Sequence, residues 1–224
     1  LFRRRALKHL LYLPIFSLSL AFSQVDIDTL WTFTNCGQTG RYGPTLEQCE
    51  SEYSGTSLEG QITMDGFQGY QEWTVPFPGI YSIEVRGAEG GGNGDGADGA
   101  YMSGEFTLYS GQELSILVGQ RGYAGFNSWS SYGGGGGTFV AIDDNPLIIA
   151  GGGGGTHYNG GGSGGTTNSC GDSSNSGSGG CDGNGGTAGN SYGKAGGGFY
   201  SSGSGGNSSG TNGAGFLQGG TGGE

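Results

Sequence analysis

Basic residues are the scarcest resource of this chain. It has eight Lys and Arg, and four of them, Arg3, Arg4, Arg5 and Lys8, crowd the first eight positions. Beyond these, Arg41, Arg86, Arg121 and Lys194 stand against 19 carboxylates, a net charge of −15 for residues 24–224. Nucleic-acid binders and anionic-membrane binders need clustered Lys and Arg, so the balance argues against both partner classes. Histidine is rarer still: after the first 23 residues only His157 remains, in GGTHYNGG. A Ser-His-Asp triad would have to use it, and no strained serine elbow between a strand and a helix is recognisable. Proline occurs five times and never after Pro146, which excludes collagen despite 57 glycines. No stretch keeps a helical period beyond about ten residues. The longest apolar run, Leu10 to Phe22, is shorter than the roughly 20 residues of a spanning helix.

That apolar run follows the basic start and ends in Ala21-Phe22-Ser23, the pattern of a secretory signal over residues 1–23, with a single domain over 24–224. Four cysteines lie beyond it, Cys36, Cys49, Cys170 and Cys181. An even count behind a signal reads as two disulfides in an oxidising compartment, and proximity favours Cys36 with Cys49 and Cys170 with Cys181. Zinc is the competitor, but no C-x-x-C or Cys/His spacing is present.

Residues 30–150 are rich in β signals. Leu30–Thr34, Gln61–Met64, Gln71–Val75, Ile80–Arg86, Tyr101–Tyr109 and Glu113–Val118 are expected strands, and Ile80–Arg86 alternates with a clear period of two. Between Cys36 and Cys49 the sequence reads as turns. Tyr132 to Gly155, YGGGGGTFVAIDDNPLIIAGGGGG, places two apolar runs, Thr138–Ile142 and Leu147–Ala150, between glycine runs. A link of Asp143, Asp144, Asn145 and Pro146 suits a hairpin. Near-continuous apolarity predicts that both faces of the hairpin are covered. The flanking glycines, among them Gly133, Gly137, Gly151, Gly153 and Gly155, are expected to pack closely on neighbouring backbone. The alternative is a flexible linker. Together these features predict an all-β antiparallel sandwich or jelly roll.

Residues 151–224 form a Gly/Ser tract. From 162 to 189, every third residue is Gly at eight of ten positions. That period fits a left-handed polyproline-II-type helix, with Gly177, Gly180, Gly183, Gly186 and Gly189 along one edge. Asp95 and Asp98 in GGGNGDGADG offer hard oxygens that could suit Ca²⁺, against the plainer reading of a solvated acidic turn. FNSWSSY, with Phe126, Trp129 and Tyr132, reads as an exposed recognition loop, since Tyr and Trp among small residues make good contact surfaces.

Four stretches carry a resemblance to a known family. They are FTNCGQTGRYGPTLEQC from Phe33, EWTVPFPGIYSIEVRGAEGG from Glu72, LSILVGQRG from Leu114, and the pair GGGGGTFV and PLIIAGGGGG. They resemble the glycine-rich domain in the extracellular part of anaplastic lymphoma kinase and leukocyte tyrosine kinase, and secreted bacterial proteins with the same module. The resemblance runs from about Leu30 to at least Gly155. It implies a sandwich similar to a tumour-necrosis-factor module with an inserted bundle of polyglycine helices, and a ligand-binding role toward proteins at the cell surface. Three departures stand out. The insert after the Val-Gly-Gln strand shrinks to Tyr123–Tyr132. No kinase motif or membrane span is present. The sequence ends inside a glycine run, as a fragment truncated at its C-terminal side would. The resulting expectation is a secreted or surface-displayed, non-enzymatic protein-binding module without a cofactor. Its rivals are an ectodomain piece of a receptor tyrosine kinase and a secreted hydrolase.

Overall fold

The computed structural model describes residues 2–5, 29–92, 96–122, 132–156, 162–173, 177–188, 194–206 and 211–223. It is mostly β, with antiparallel sheets and little helix. Nine strands build two main sheets: β1 (Phe2–Arg5), β2 (Leu30–Trp31), β3 (Ile62–Thr63), β4 (Tyr70–Thr74), β5 (Gly79–Arg86), β6 (Tyr101–Leu108), β7 (Glu113–Leu117), β8 (Thr138–Ile142) and β9 (Asn145–Ala150). One sheet runs β2-β1-β5-β6 and the other β3-β4-β7-β8-β9.

The alternation seen in the sequence does what alternation should. In β5, Tyr81, Ile83 and Val85 are buried while Arg86 is exposed, because successive side chains of a strand leave on opposite faces. β5 pairs with β6 from Gly79↔Leu108 to Arg86↔Tyr101. The inward residues of both sheets form one core, centred on Trp31, Trp73 and Tyr81, whose ring centroids lie 5.1 to 6.2 Å apart.

The hairpin β8–β9 is tighter than expected. Asp143, at φ 46°, and Asp144 alone make the turn, and Asn145 and Pro146 already belong to β9. Pro146 is tolerated because β9 is an edge strand and the register shifts beside it, between Val140 and Ala141. Both faces of the hairpin are covered. Val140 points into the main core, whereas Phe139 and Ala141 join a second cluster with Tyr70, Leu117, Phe199 and Phe216. The C-terminal tail therefore packs on the outer face of the five-stranded sheet. There the rings of Phe199 and Phe216 stack at 4.8 Å and 10°, and the Tyr70 hydroxyl donates to the Phe216 carbonyl.

Two expectations are corrected. The segment read as turns holds a helix, α1 (Leu46–Tyr53). Thr45 and Gln48 form a reciprocal capping box, in which the Thr45 amide donates to Gln48 Oε1 at 2.8 Å and the Gln48 amide to Thr45 Oγ1 at 3.4 Å. The helix buries Cys49 and Tyr53 on one face. Second, the triplet tract does not run as one extended helix from 177 to 188. It reverses at Asp182 (φ 51°) and Gly183 (φ 78°), a conformation that a left-handed three-residue helix never uses. Gly177–Ser178 (β10) then pairs antiparallel with Thr187–Ala188 (β11), and β11 pairs parallel with Ser204–Gly205 (β12). Gly189 lies outside the described residues.

Cys36 is bridged to Cys49 and Cys170 to Cys181. The first bridge ties the chain after β2 to α1. A closed network fixes the same region, with Tyr53 Oη donating to Gln71 Oε1 at 2.6 Å and accepting from the Thr34 amide at 2.9 Å. Gln71 Nε2 completes it by donating to the Thr34 carbonyl at 2.8 Å. Gln71 is fully buried, so the two bonds of its side-chain amide satisfy groups that water cannot reach.

Glu72 sits half-buried on β4, accepting from Ser115 Oγ at 2.7 Å. Burial pushes its carboxyl above the usual carboxylate range, aided by the charges of Glu113 and Asp65 and opposed by the Ser115 bond. A raised carboxylate pKa means that the folded state holds its proton to higher pH than the unfolded chain. The fold therefore loses stability as pH rises from the unfolded to the folded pKa. Glu72→Gln is expected to raise the melting temperature at pH 7 and to leave it unchanged near pH 3, where both states are protonated in the parent. Thermal melts at the two pH values check this, and an equal shift at both would show that charge is not the cause.

Candidate interaction surface

The strands end in glycine at one end of the sandwich. Residues 87–91 leave β5, 96–100 enter β6, 119–122 leave β7, 133–137 enter β8, and 151–156 leave β9. A glycine-rich segment carries no side chains to fill space, so its backbone amides and carbonyls must find partners directly. They find one another. Ala88 donates to the Gly136 carbonyl at 2.9 Å, Gly91 to Gly133 at 2.8 Å, Gly136 to Gln120 at 2.8 Å, Gly153 to Ala88 at 2.9 Å, and Gly135 to Gly153 at 2.8 Å. Thr156 donates to Gly91 and Tyr132 to Thr156, both at 2.9 Å. A sixth segment, 162–165, joins when Gly154 donates to Ser163 and Gly165 to Asp98, both at 2.8 Å.

Such spacing leaves no room for a Cβ at most positions. At Gly153 it would overlap the Ala97 carbonyl, and at Gly155 the carbonyl of Tyr132. At Gly137 it would lie 2.9 Å from the Phe139 ring, which is a side chain, and at Gly151 it would meet nothing within 4 Å. Gly133 contributes its carbonyl to Gly91.

Thr138 stitches this lattice to both sheets, and sequence reading did not single it out. Its buried hydroxyl donates to the Arg86 carbonyl at 2.6 Å and accepts from the Gly119 amide at 3.0 Å. One polar residue opening an otherwise apolar run directly after glycine was the available signal. Thr138→Val keeps the shape and leaves both backbone groups without this partner. It should cost about 1–3 kcal/mol in chemical denaturation, and a loss within about 0.5 kcal/mol would count against the stitch.

The lattice holds the residues on either side of 123–131, which lie outside the described residues. Gly122 donates to the Glu89 carbonyl at 3.1 Å, and Arg121 pairs with the Glu89 carboxylate at 3.2 Å. On the far side Tyr132, half-buried, is fixed through Thr156. Phe126 and Trp129 lie outside the described residues, as do Asp95 and His157. Asp98 is described, and its backbone carbonyl accepts from the Gly165 amide. Among the described residues, no group of three metal-ligating side chains comes together.

A cavity of about 370 Å³ opens between the sheets beside this end, lined by Phe33, Glu84, Val85, Arg86, Ile116, Val118, Thr138 and Val140. The lining is mostly apolar, and Glu84 is its one acidic residue. A glycosidase pair needs two carboxylates about 5 to 9 Å apart, so this lining gives the hydrolase reading no support.

No protein-family model matches the chain. The chain is similar to a leukocyte tyrosine kinase receptor. That mouse receptor is 40% identical to it over 97 residues, which cover 41% of this chain and 11% of the receptor. The chain thus spans a small part of the receptor's length, and the similarity is partial. Among the described residues, no helix is long and apolar enough to cross a membrane.

Proposed function

We propose that this chain is a non-enzymatic, extracellular protein-binding module that presents the 123–132 loop from a rigid glycine platform. The observation that carries the reading is the backbone lattice that grips both ends of that loop, at Gly122 and at Tyr132. Loops held by a rigid scaffold are where binding residues concentrate, and a preorganised loop loses less entropy when it binds. Two disulfides fit an oxidising, extracellular setting, and so does the partial similarity to a receptor. In this reading the two main sheets form a jelly-roll-like sandwich, and the laterally bonded glycine segments act as a bundle of polyglycine-II helices. Residues 1–23 serve as the secretory signal, and the partner is a protein ligand or a cell-surface protein.

The test is binding of the labelled, purified chain to intact cells. Saturable binding that unlabelled chain displaces is expected, with a loss of at least about tenfold in Trp129→Ala and in Tyr132→Ala at unchanged melting temperature. Absence of saturable binding, or full binding by both variants, overturns the reading. A second reading rests on the same similarity: the chain is an ectodomain piece of a receptor tyrosine kinase. Coding sequence for a membrane span and kinase motifs downstream of Glu224 would decide for it.

A further inference from the structure

The two disulfides are built into the fold in different ways. Cys36 and Cys49 are buried and belong to the main core. Cys181 is exposed and Cys170 half-buried. Residues 169–173 and 177–183 are Ser, Gly and Asp apart from the two cysteines, so no apolar packing supports the second bridge. Cys170 and Cys181 stand directly opposite one another in an isolated antiparallel pairing. On one side the Gly171 amide donates to the Gly180 carbonyl at 2.9 Å, and on the other the Asp182 amide donates to the Ser169 carbonyl at 2.8 Å. The cysteines thus fill a non-hydrogen-bonded position between two main-chain bonds. What the bridge connects is equally distinctive. The Cys170 arm continues from the glycine segment 162–165, with Thr166 Oγ1 donating to the Cys170 carbonyl at 2.8 Å. The Cys181 arm opens the turn that supports the tail: the Asn184 amide donates to the Cys181 carbonyl at 2.8 Å, and the Gly183 carbonyl accepts from the Tyr200 amide at 2.9 Å. Tyr200 follows Phe199, which is fully buried in the second cluster.

We infer that Cys170–Cys181 is a redox switch, opened by a dithiol reductant of the Cys-x-x-Cys class while Cys36–Cys49 stays closed, and that opening it uncouples the glycine lattice from the C-terminal tail. Exposed bridges in an oxidising compartment are the labile and regulatory ones, whereas bridges sealed in a core are out of a reductant's reach. A thiolate of the reductant attacks Sγ of exposed Cys181. The Sγ–Sγ bond breaks, and Cys170 leaves as a thiolate that takes a proton from water. The reductant's second thiolate then attacks the mixed disulfide and releases Cys181, which is protonated in turn. Two electrons pass to the protein bridge, and the dithiol becomes a disulfide. The exchange run backwards with the oxidised dithiol closes the bridge again. In the open state the arm before Cys170 and the turn after Cys181 are joined by the two flanking main-chain bonds alone, both in a surface segment where local opening needs little free energy. The switch goes beyond the loop-based reading and uses none of the loop residues.

The probe is dithiothreitol, added to the full folded chain, with iodoacetamide trapping the thiols released and peptide mass mapping reading them. Cys170 and Cys181 should be labelled at least about tenfold faster than Cys36 and Cys49. Amide exchange on the reduced chain should quicken across 166–173 and 177–183 and at the Tyr200 amide, while β4, β7 and β8 keep their protection. The double variant Cys170→Ser with Cys181→Ser should show the same exchange pattern without reductant, and dithiothreitol should not change it further. Equal labelling of all four cysteines overturns the switch. So does selective labelling that leaves exchange at Tyr200 unchanged, since the lattice and the tail would then not be coupled through the bridge. A double variant that fails to fold overturns it as well, because the bridge would then be a structural requirement. Failure here with cell binding by the oxidised chain intact removes the switch alone, and the converse removes the loop reading alone.

Discussion

Replacing Gly153 by Val is expected to destabilise the protein by about 3 kcal/mol or more, enough to leave a marginal domain largely unfolded. The reason is local and leaves no escape. A Cβ built on Gly153 overlaps the Ala97 carbonyl oxygen and lies 2.6 Å from the Ala97 carbonyl carbon and 2.8 Å from that of Asp98. All three are backbone atoms, which cannot rotate away as a side chain would. Gly153 cannot retreat either, because its amide donates to Ala88 and its carbonyl accepts from Gly135. Gly151, two residues earlier in the same run, has open space around its Cβ position. Gly151→Ala should be neutral or stabilise by about 0.4–1 kcal/mol, since Ala restricts the unfolded chain. Thermal melts of the two variants separate a packed lattice from a linker. If both melt with the parent, the glycine segments are a linker and not a packed lattice.

That contrast marks where sequence reading stopped. The glycine runs announced a close approach of backbones, but a run of identical residues does not reveal which of them faces a neighbour. Phase is set by partners far away in sequence, such as Ala97 for Gly153 and Tyr132 for Gly155. The strands were legible because alternation is local: Tyr81, Ile83 and Val85 announce an inward face without knowledge of the partner sheet. Two-sided coverage of β8 was legible too, from an apolar run without alternation, although the residues that cover it, Phe199 and Phe216, come from the distant tail. Helix α1 was missed because its stretch is too short and too polar for periodicity. Its capping box, TLEQ, was the readable signal. The pairing of β1 with β5 had no signal of its own, since Phe2–Arg5 has no alternation and the pairing spans most of the sandwich sequence. The reversal at Asp182–Gly183 defeated the triplet reading because a constant glycine period says nothing about the sign of φ. Residues 123–131 lie outside the described residues, and the bonds that hold Gly122 and Tyr132 on either side of them had no signal in the sequence, because their partners, Glu89 and Thr156, are distant along the chain.

Phe216→Ala is expected to cost about 3–5 kcal/mol, the range for a buried aromatic whose site cannot collapse. The ring of Phe216 stacks on Phe199 and lies 4.8 Å from Tyr70 and 5.5 Å from Phe139, so it joins the tail to β4 and β8 at once. Its backbone is committed as well, with its amide donating to Gly198 at 2.8 Å and its carbonyl accepting from Tyr70. Removing the ring opens a cavity between the tail and the outer face of the five-stranded sheet, while the main core on the inner face keeps its contacts. The loss should therefore be unevenly distributed. Amide exchange should speed up in 194–206 and 211–223 first, with the β5 and β6 amides still protected, because local opening needs less free energy than global unfolding. Leu217, only partly buried beside the same cluster, provides the control, and Leu217→Ala should cost much less. Simultaneous loss of protection in the tail and in β5 would mean that the two clusters unfold as one unit. In that case the tail would be part of the sandwich's cooperative core and not a cover laid upon it.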